Sequence, residues 1–169
     1  MNTAENKSRA WRFADALGVI ARCIVGGMFI YMGVVKALHP VDFLKLVREY
    51  DIIHAPPALN LIAAALPWFE VFCGLLLVAG IAVRGTALVG VLMLVPFTVL
   101  VLLRTIEMSR AEGLSLCAIK FDCGCGGGEI WICRKLVENL MLTLLSAWLI
   151  FSRNERLCLR HQLIRTPST

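Results

Sequence analysis

Apolar residues along this chain gather into four long runs separated by more polar stretches. The third run, Gly85 to Leu103, reads GTALVGVLMLVPFTVLVLL and contains no charge. The second, Leu59 to Val83, is interrupted by Pro67 and Glu70. The first, Leu17 to Leu38, carries Arg22 near its start and Lys36 near its end. The fourth, Ile130 to Phe151, has Arg134, Lys135 and Glu138 in its first turns. A helix rising ~1.5 Å per residue needs roughly 20 apolar residues to cross a hydrocarbon core ~30 Å thick. No period-two alternation of strand type stands out. The pattern predicts an all-α fold, an integral membrane four-helix bundle.

The connecting stretches refine this. His39 to Ala58 mixes charge with Phe43, Leu44, Leu46, Val47 and Tyr50 at near-helical spacing, which predicts a short amphipathic helix at the interface. The link around Arg84-Gly85 is very short, so the second and third spans form an antiparallel hairpin. Arg104 to Glu129 is the longest link and holds three of the seven cysteines. The first apolar run is too long for a secretory signal core and lacks a small-x-small cleavage site, so it is read as an uncleaved first membrane helix. The chain divides into an N-terminal segment (1–16), one membrane domain (17–151) and a basic tail (152–169), with no internal repeat.

Composition agrees. Of 169 residues, 59% are hydrophobic, and the mean hydropathy is +0.76, too apolar for an ordinary soluble domain. The net charge of +5 resides in the flanks of membrane helices and calls for no nucleic-acid partner. Lys7, Arg9 and Arg12 at one end, and Arg153, Arg156, Arg160 and Arg165 at the other, place both termini in the cytoplasm by the positive-inside bias. The expectation is a multi-pass protein of the bacterial plasma membrane, with its cysteine-rich loop extracytoplasmic, before the last helix. Disulfides persist on that side.

Four of the seven cysteines fall in Cys117-Ala-Ile-Lys-Phe-Asp-Cys123-Gly-Cys125-Gly-Gly-Gly-Glu-Ile-Trp-Ile-Cys133. A disulfide between residues two apart is tight and readily reduced, and the surrounding glycines permit the backbone such a ring requires. Cys117 and Cys133 flank that pair and suit a second or resolving pair in an electron relay. Four cysteines allow three connectivities. Lys120, Arg134 and Lys135 nearby favour thiolate over thiol. Two other readings compete. The cysteines brace an exposed loop with structural disulfides, as in a non-catalytic assembly or anchor subunit, or they form a four-thiolate zinc site. The spacing C-x5-C-x-C-x7-C departs from the paired knuckles typical of zinc.

Charges inside the spans form a second constellation. An ionisable group near the bilayer centre costs roughly 2.5–3.5 kcal/mol on insertion scales. Glu70 lies near the middle of its span, and Arg134 and Glu138 are spaced i,i+4 on one helical face. Lys36, Arg134, Glu138 and Glu70 descend from the cysteine side toward the midplane, where they line a polar pocket for a quinone head group and its protons. The alternative is that they are structural pairs holding the bundle together. Cys23 and Cys73 are read as packing residues. Gly26, Gly27 and Gly33 should allow close helix contact, and Trp131 is placed as an interfacial anchor.

The segments FIYMGVVKALHP, PWFEVFCGLLLVAG, FDCGCGGGEIWICRK and KLVENLML resemble the DoxX-like membrane proteins, and within them the MauE-like proteins of methylamine utilisation. The resemblance spans most of Leu17 to Phe151. Gly126 stands where MauE-like sequences usually carry phenylalanine after Cys-Gly-Cys. The resemblance implies a four-helix membrane protein working with a periplasmic thioredoxin-like partner, in the maturation of a disulfide-rich dehydrogenase subunit. It assigns Cys123 and Cys125 as the redox pair and Glu70 as the intramembrane acid. The wider group includes subunits linked to quinone reduction. The expected activity is thiol–disulfide exchange with that partner or a client, by a protein embedded in the lipid bilayer that passes electrons to or from the membrane, with a quinone as the candidate cofactor, as a homodimer or a heteromeric complex.

Overall fold

A computed structural model of the chain describes residues 3–49, 55–113, 115–122 and 129–152. In chain order its elements are α1 (Thr3–Leu38), α2 (Pro40–Glu49), α3 (Pro56–Ala79), α4 (Val83–Glu112), a 3-10 turn (Leu116–Ala118), β1 (Lys120–Asp122), β2 (Glu129–Trp131) and α5 (Ile132–Phe151). Among the described residues three helical stretches are long and apolar enough to cross a membrane: Ala16–Leu38 of α1, the whole of α3, and Val83–Ala111 of α4. α5 has 20 residues but carries its charges at its N-terminal end.

The helices associate chiefly as two antiparallel pairs, α1 with α3 and α4 with α5. Ala21, Val25, Phe29 and Met32 of α1 meet Cys73 and Leu77 of α3, Leu94 and Val101 of α4, and Leu142 and Leu149 of α5 in one core. The outward faces are equally apolar. Trp68 and Phe72 on α3, Leu92 and Val99 on α4, and Leu140 and Leu144 on α5 are all exposed. A continuous apolar surface of that kind is stable only against lipid. This is a membrane protein.

Glycine sets the α1/α3 distance. A Cβ placed on Gly26 would lie 2.7 Å from the Gly74 carbonyl oxygen, and one on Gly33 would lie 2.6 Å from that of Pro67. Backbones this close gain dispersion contacts that lipid cannot supply. Gly27 faces open space, so of the two adjacent glycines only Gly26 makes the contact, and Gly74 completes it.

Helix ends depart from the hydropathy pattern. The α3–α4 link is Gly80-Ile81-Ala82, not Arg84-Gly85, which lie in the first turn of α4. Gly80 ends α3 in the left-handed conformation (φ 71°), and the Ile81 N–H donates to the Leu76 carbonyl. Ala82 is also left-handed, at φ 48°. α4 continues through Arg104 and Arg110 to Glu112, so the third link is shorter than expected and contains a small antiparallel hairpin. Hydropathy marks where lipid ends; backbone hydrogen bonding carries a helix beyond that level. The two short strands escaped a pattern search because three residues each are too few to show alternation. α2 is the expected amphipathic helix, with Phe43 buried.

Candidate functional site

The hairpin lies immediately before α5. Its register pairs Lys120 with Trp131, Phe121 with Ile130 and Asp122 with Glu129. The Lys120 ammonium sits 4.1 Å from the Trp131 ring centroid, a cross-strand cation–π contact on the exposed side. The Ile132 N–H donates to the Ile119 carbonyl at 3.3 Å and ties the hairpin to the first turn of α5. Here Cys117, in the 3-10 turn, is joined to Cys133 by a disulfide with Cα atoms 5.1 Å apart. This excludes the two connectivities in which Cys117 or Cys133 pairs with Cys123 or Cys125. Those two residues, with the glycines around them, lie outside the described residues, at the sequence positions between the strands.

Deeper in the bundle, the Lys36 ammonium donates to Glu70 Oε1 at 2.6 Å and Oε2 at 2.8 Å. Both residues are buried, and the ammonium also lies 5.3 Å from the Phe43 ring centroid and 5.8 Å from that of Phe97. The pair draws α1 and α3 together, while α2 and α4 each present an aromatic face to the cation. Two hydrogen bonds and two ring quadrupoles offset part of the cost of removing the charges from water.

α5 buries a cation, Lys135, that the sequence placed only beside the cysteines. Lys135 is only 2% exposed; it donates to Glu138 Oε2 at 3.4 Å, and its nitrogen lies 3.8 Å from the Met32 sulfur. Arg134, chosen from sequence, points outward. Glu138 therefore shares its ion pair with Lys135 rather than with Arg134. The reason is helical phase: Lys135, Asn139, Leu142, Ser146 and Leu149 form the buried stripe, and at about 100° per residue Arg134 rotates off it. That stripe was detectable, since Asn139 and Ser146 are polar residues seven apart in an apolar run and Lys135 falls one turn before them.

Asn139 is fully buried, and its Nδ2 donates to Thr98 Oγ1 at 3.2 Å across the α4/α5 seam. Thr98 in turn donates to the Leu94 carbonyl at 2.7 Å. Asn139 Oδ1 and Ser146 Oγ, both buried, meet no hydrogen-bond partner among the described residues. Cys73 is buried, as expected of a packing residue, whereas Cys23 lies on the outward face of α1 and is not one.

Residues 14–152 match the model of the family described as methylamine utilisation protein MauE. The chain belongs to the MauE family. Neither a curated protein nor a solved structure matches it. The MauE match takes in most of α1, the remaining four helices and the whole cysteine segment. In this MauE protein the disulfide and the buried charges are parts of one end of the bundle. Cys133 opens α5, Lys135 and Glu138 follow within two turns, and Lys135 reaches Met32, one turn before Lys36 on α1. Such an arrangement sets a reducible sulfur pair above ionisable groups inside an apolar bundle.

Proposed function

We propose that this MauE-family protein is a membrane thiol–disulfide redox protein, which exchanges electrons between an extracytoplasmic thioredoxin-like partner or client and the membrane. In this reading α5 is a fourth span. Its length of about 30 Å matches the hydrocarbon core, and its apolar outward face suits lipid. The hairpin then faces the extracytoplasmic side of a bacterial plasma membrane and both termini lie in the cytoplasm. Cys123 and Cys125 meet the partner. Cys117 and Cys133 form the second pair. Lys36, Glu70, Lys135 and Glu138 supply charge and protons near a quinone, and Arg134 stays at the surface, where it favours thiolate in the hairpin.

One observation carries this reading: the Cys117–Cys133 disulfide joins the base of the hairpin to the turn of α5 that leads into the buried charges. It also argues against a four-thiolate metal site, because two of the four sulfurs are bonded to each other. The reading that competes is a non-catalytic assembly or anchor subunit braced by the same disulfide.

Thiol mapping separates the two. Cells are quenched with acid, alkylated before and after reduction, and the states of Cys117, Cys123, Cys125 and Cys133 are read by mass spectrometry, with and without the thioredoxin-like partner. Partial oxidation that shifts with the partner supports exchange. Cysteines that stay fully oxidised in every condition make the disulfides a brace and end the redox reading.

A further inference from the structure

Two polar side chains, Tyr31 and Glu138, stand on one outward face of the bundle. Lys135 of α5 meets Met32 of α1 at 3.8 Å, which fixes how these antiparallel helices face each other. At about 100° per residue, Tyr31 lies about 100° from that contact and Glu138 about 60° from it. Because the helices run in opposite directions, both turns lead to the same side. The other side is filled: Gly26 and Gly33 meet α3 there, and Asn139 meets Thr98 of α4. The side of Tyr31 and Glu138 is open, with Tyr31 55% exposed and the Glu138 side chain 35% exposed. Met32 belongs to the membrane-capable stretch of α1, so both residues lie at hydrocarbon depth. Tyr31 sits about 10 Å before the end of α1, below the head-group level where aromatic belts form. Helical side chains lean toward the N-terminus, so Tyr31 leans away from the disulfide end and Glu138 toward it, which brings them to a common depth.

Each of the two lacks what the other offers. Glu138 Oε2 accepts from Lys135, while Oε1 accepts from no described residue. The Tyr31 hydroxyl has no partner among the described residues either. A carboxylate oxygen turned to lipid is costly, and such groups normally face a bundle interior or another protein group. We propose that this face binds a second copy of the chain, with the Tyr31 hydroxyl of each copy donating to Glu138 Oε1 of the other. A two-fold axis along the membrane normal preserves depth, so donor and acceptor at one level meet, and the symmetry makes the bond twice. Each is a charge-assisted O–H···O⁻ bond in a water-free setting. Ile24 and Met141, exposed on the same side, supply apolar contact around it. The interface involves no cysteine, so it stands or falls apart from the redox reading.

The test mixes donor- and acceptor-labelled copies of the full-length protein in lipid vesicles and follows energy transfer as added lipid dilutes them. Wild type should form dimers that dissociate on dilution. Tyr31→Phe, which removes only a hydroxyl, should weaken the dimer about tenfold or more and leave the thermal midpoint of the diluted protein unchanged. Lys135→Leu/Glu138→Leu removes the acceptor together with its ion-pair partner, so no cation is stranded, and should weaken the dimer similarly. Mixing the two variants restores one of the two bonds, so the mixed dimer should be tighter than either variant's own. A mixed dimer no tighter than its parents would place the contact within one chain and overturn the proposal. Dimers that neither variant weakens would lie on another face, and a wild type monomeric at every dilution would have no such interface; either result overturns it too.

Discussion

The two helix pairs solve the same problem in opposite ways. Between α1 and α3 the backbones touch at Gly26–Gly74 and Gly33–Pro67, and the buried charges are paired, Lys36 against both oxygens of Glu70. Between α4 and α5 an apolar contact carries an amide–hydroxyl hydrogen bond, Asn139 to Thr98, and two buried oxygens, Asn139 Oδ1 and Ser146 Oγ, have no hydrogen-bond partner among the described residues. The first seam carries a buried ion pair; the second carries neutral polar groups within an apolar contact. The Lys36–Glu70 pair braces the bundle.

The largest test of the contrast is Glu70→Leu, which strands the Lys36 ammonium inside the bundle. It should cost about 3–5 kcal/mol, read as unfolding of the protein in detergent, and the Lys36→Leu/Glu70→Leu double variant should recover most of that loss. A single variant as stable as wild type would mean the pair does not close the seam. Next comes Cys133→Ser. The disulfide links residues 16 apart, and in the chain-entropy model removing such a link costs about 3 kcal/mol. The loss should appear as faster hydrogen exchange in 115–135 while α1 and α3 keep their protection. Exchange rising uniformly would show that the hairpin supports the whole bundle.

Gly33→Leu should push α1 away from Pro67 at a cost of about 1–3 kcal/mol, whereas Gly27→Ala, which meets nothing within 4 Å, should keep or slightly raise the melting temperature. If both variants melt alike, the glycine contacts do not set the spacing of the closed pair. The smallest effect concerns the link between the two pairs. Ala82 adopts a left-handed conformation that costs an L-residue roughly 1–2 kcal/mol, so Ala82→Gly should raise stability, by less than that because glycine gains freedom in the unfolded chain. A decrease would locate an unseen role for the Ala82 methyl.

Much of this was legible along the chain. The membrane runs, the amphipathic α2, the inward Glu70 and Lys36 and the close approach at Gly26 and Gly33 all follow from local composition and helical period. The choice between Arg134 and Lys135 did not. Adjacent basic residues look alike in a hydropathy scan, and only their helical phase relative to Asn139 and Ser146 separates them. The pairing of Lys36 with Glu70 also escaped, since the two residues are 34 apart and each alone reads simply as a charge inside a span. Cys123 and Cys125, prominent in the sequence, lie outside the described residues.

What the sequence by itself determined is the solvent. Runs of apolar residues matched to bilayer thickness specify membrane helices whatever their neighbours, because transfer from water to lipid is a property of each segment. Partnership was decided only by tertiary structure. Which cysteines bond, which lysine turns inward and which oxygen goes unmatched depend on distances between segments far apart in the chain. Hydrogen bonds and ion pairs act over a few ångströms, so no local pattern encodes them.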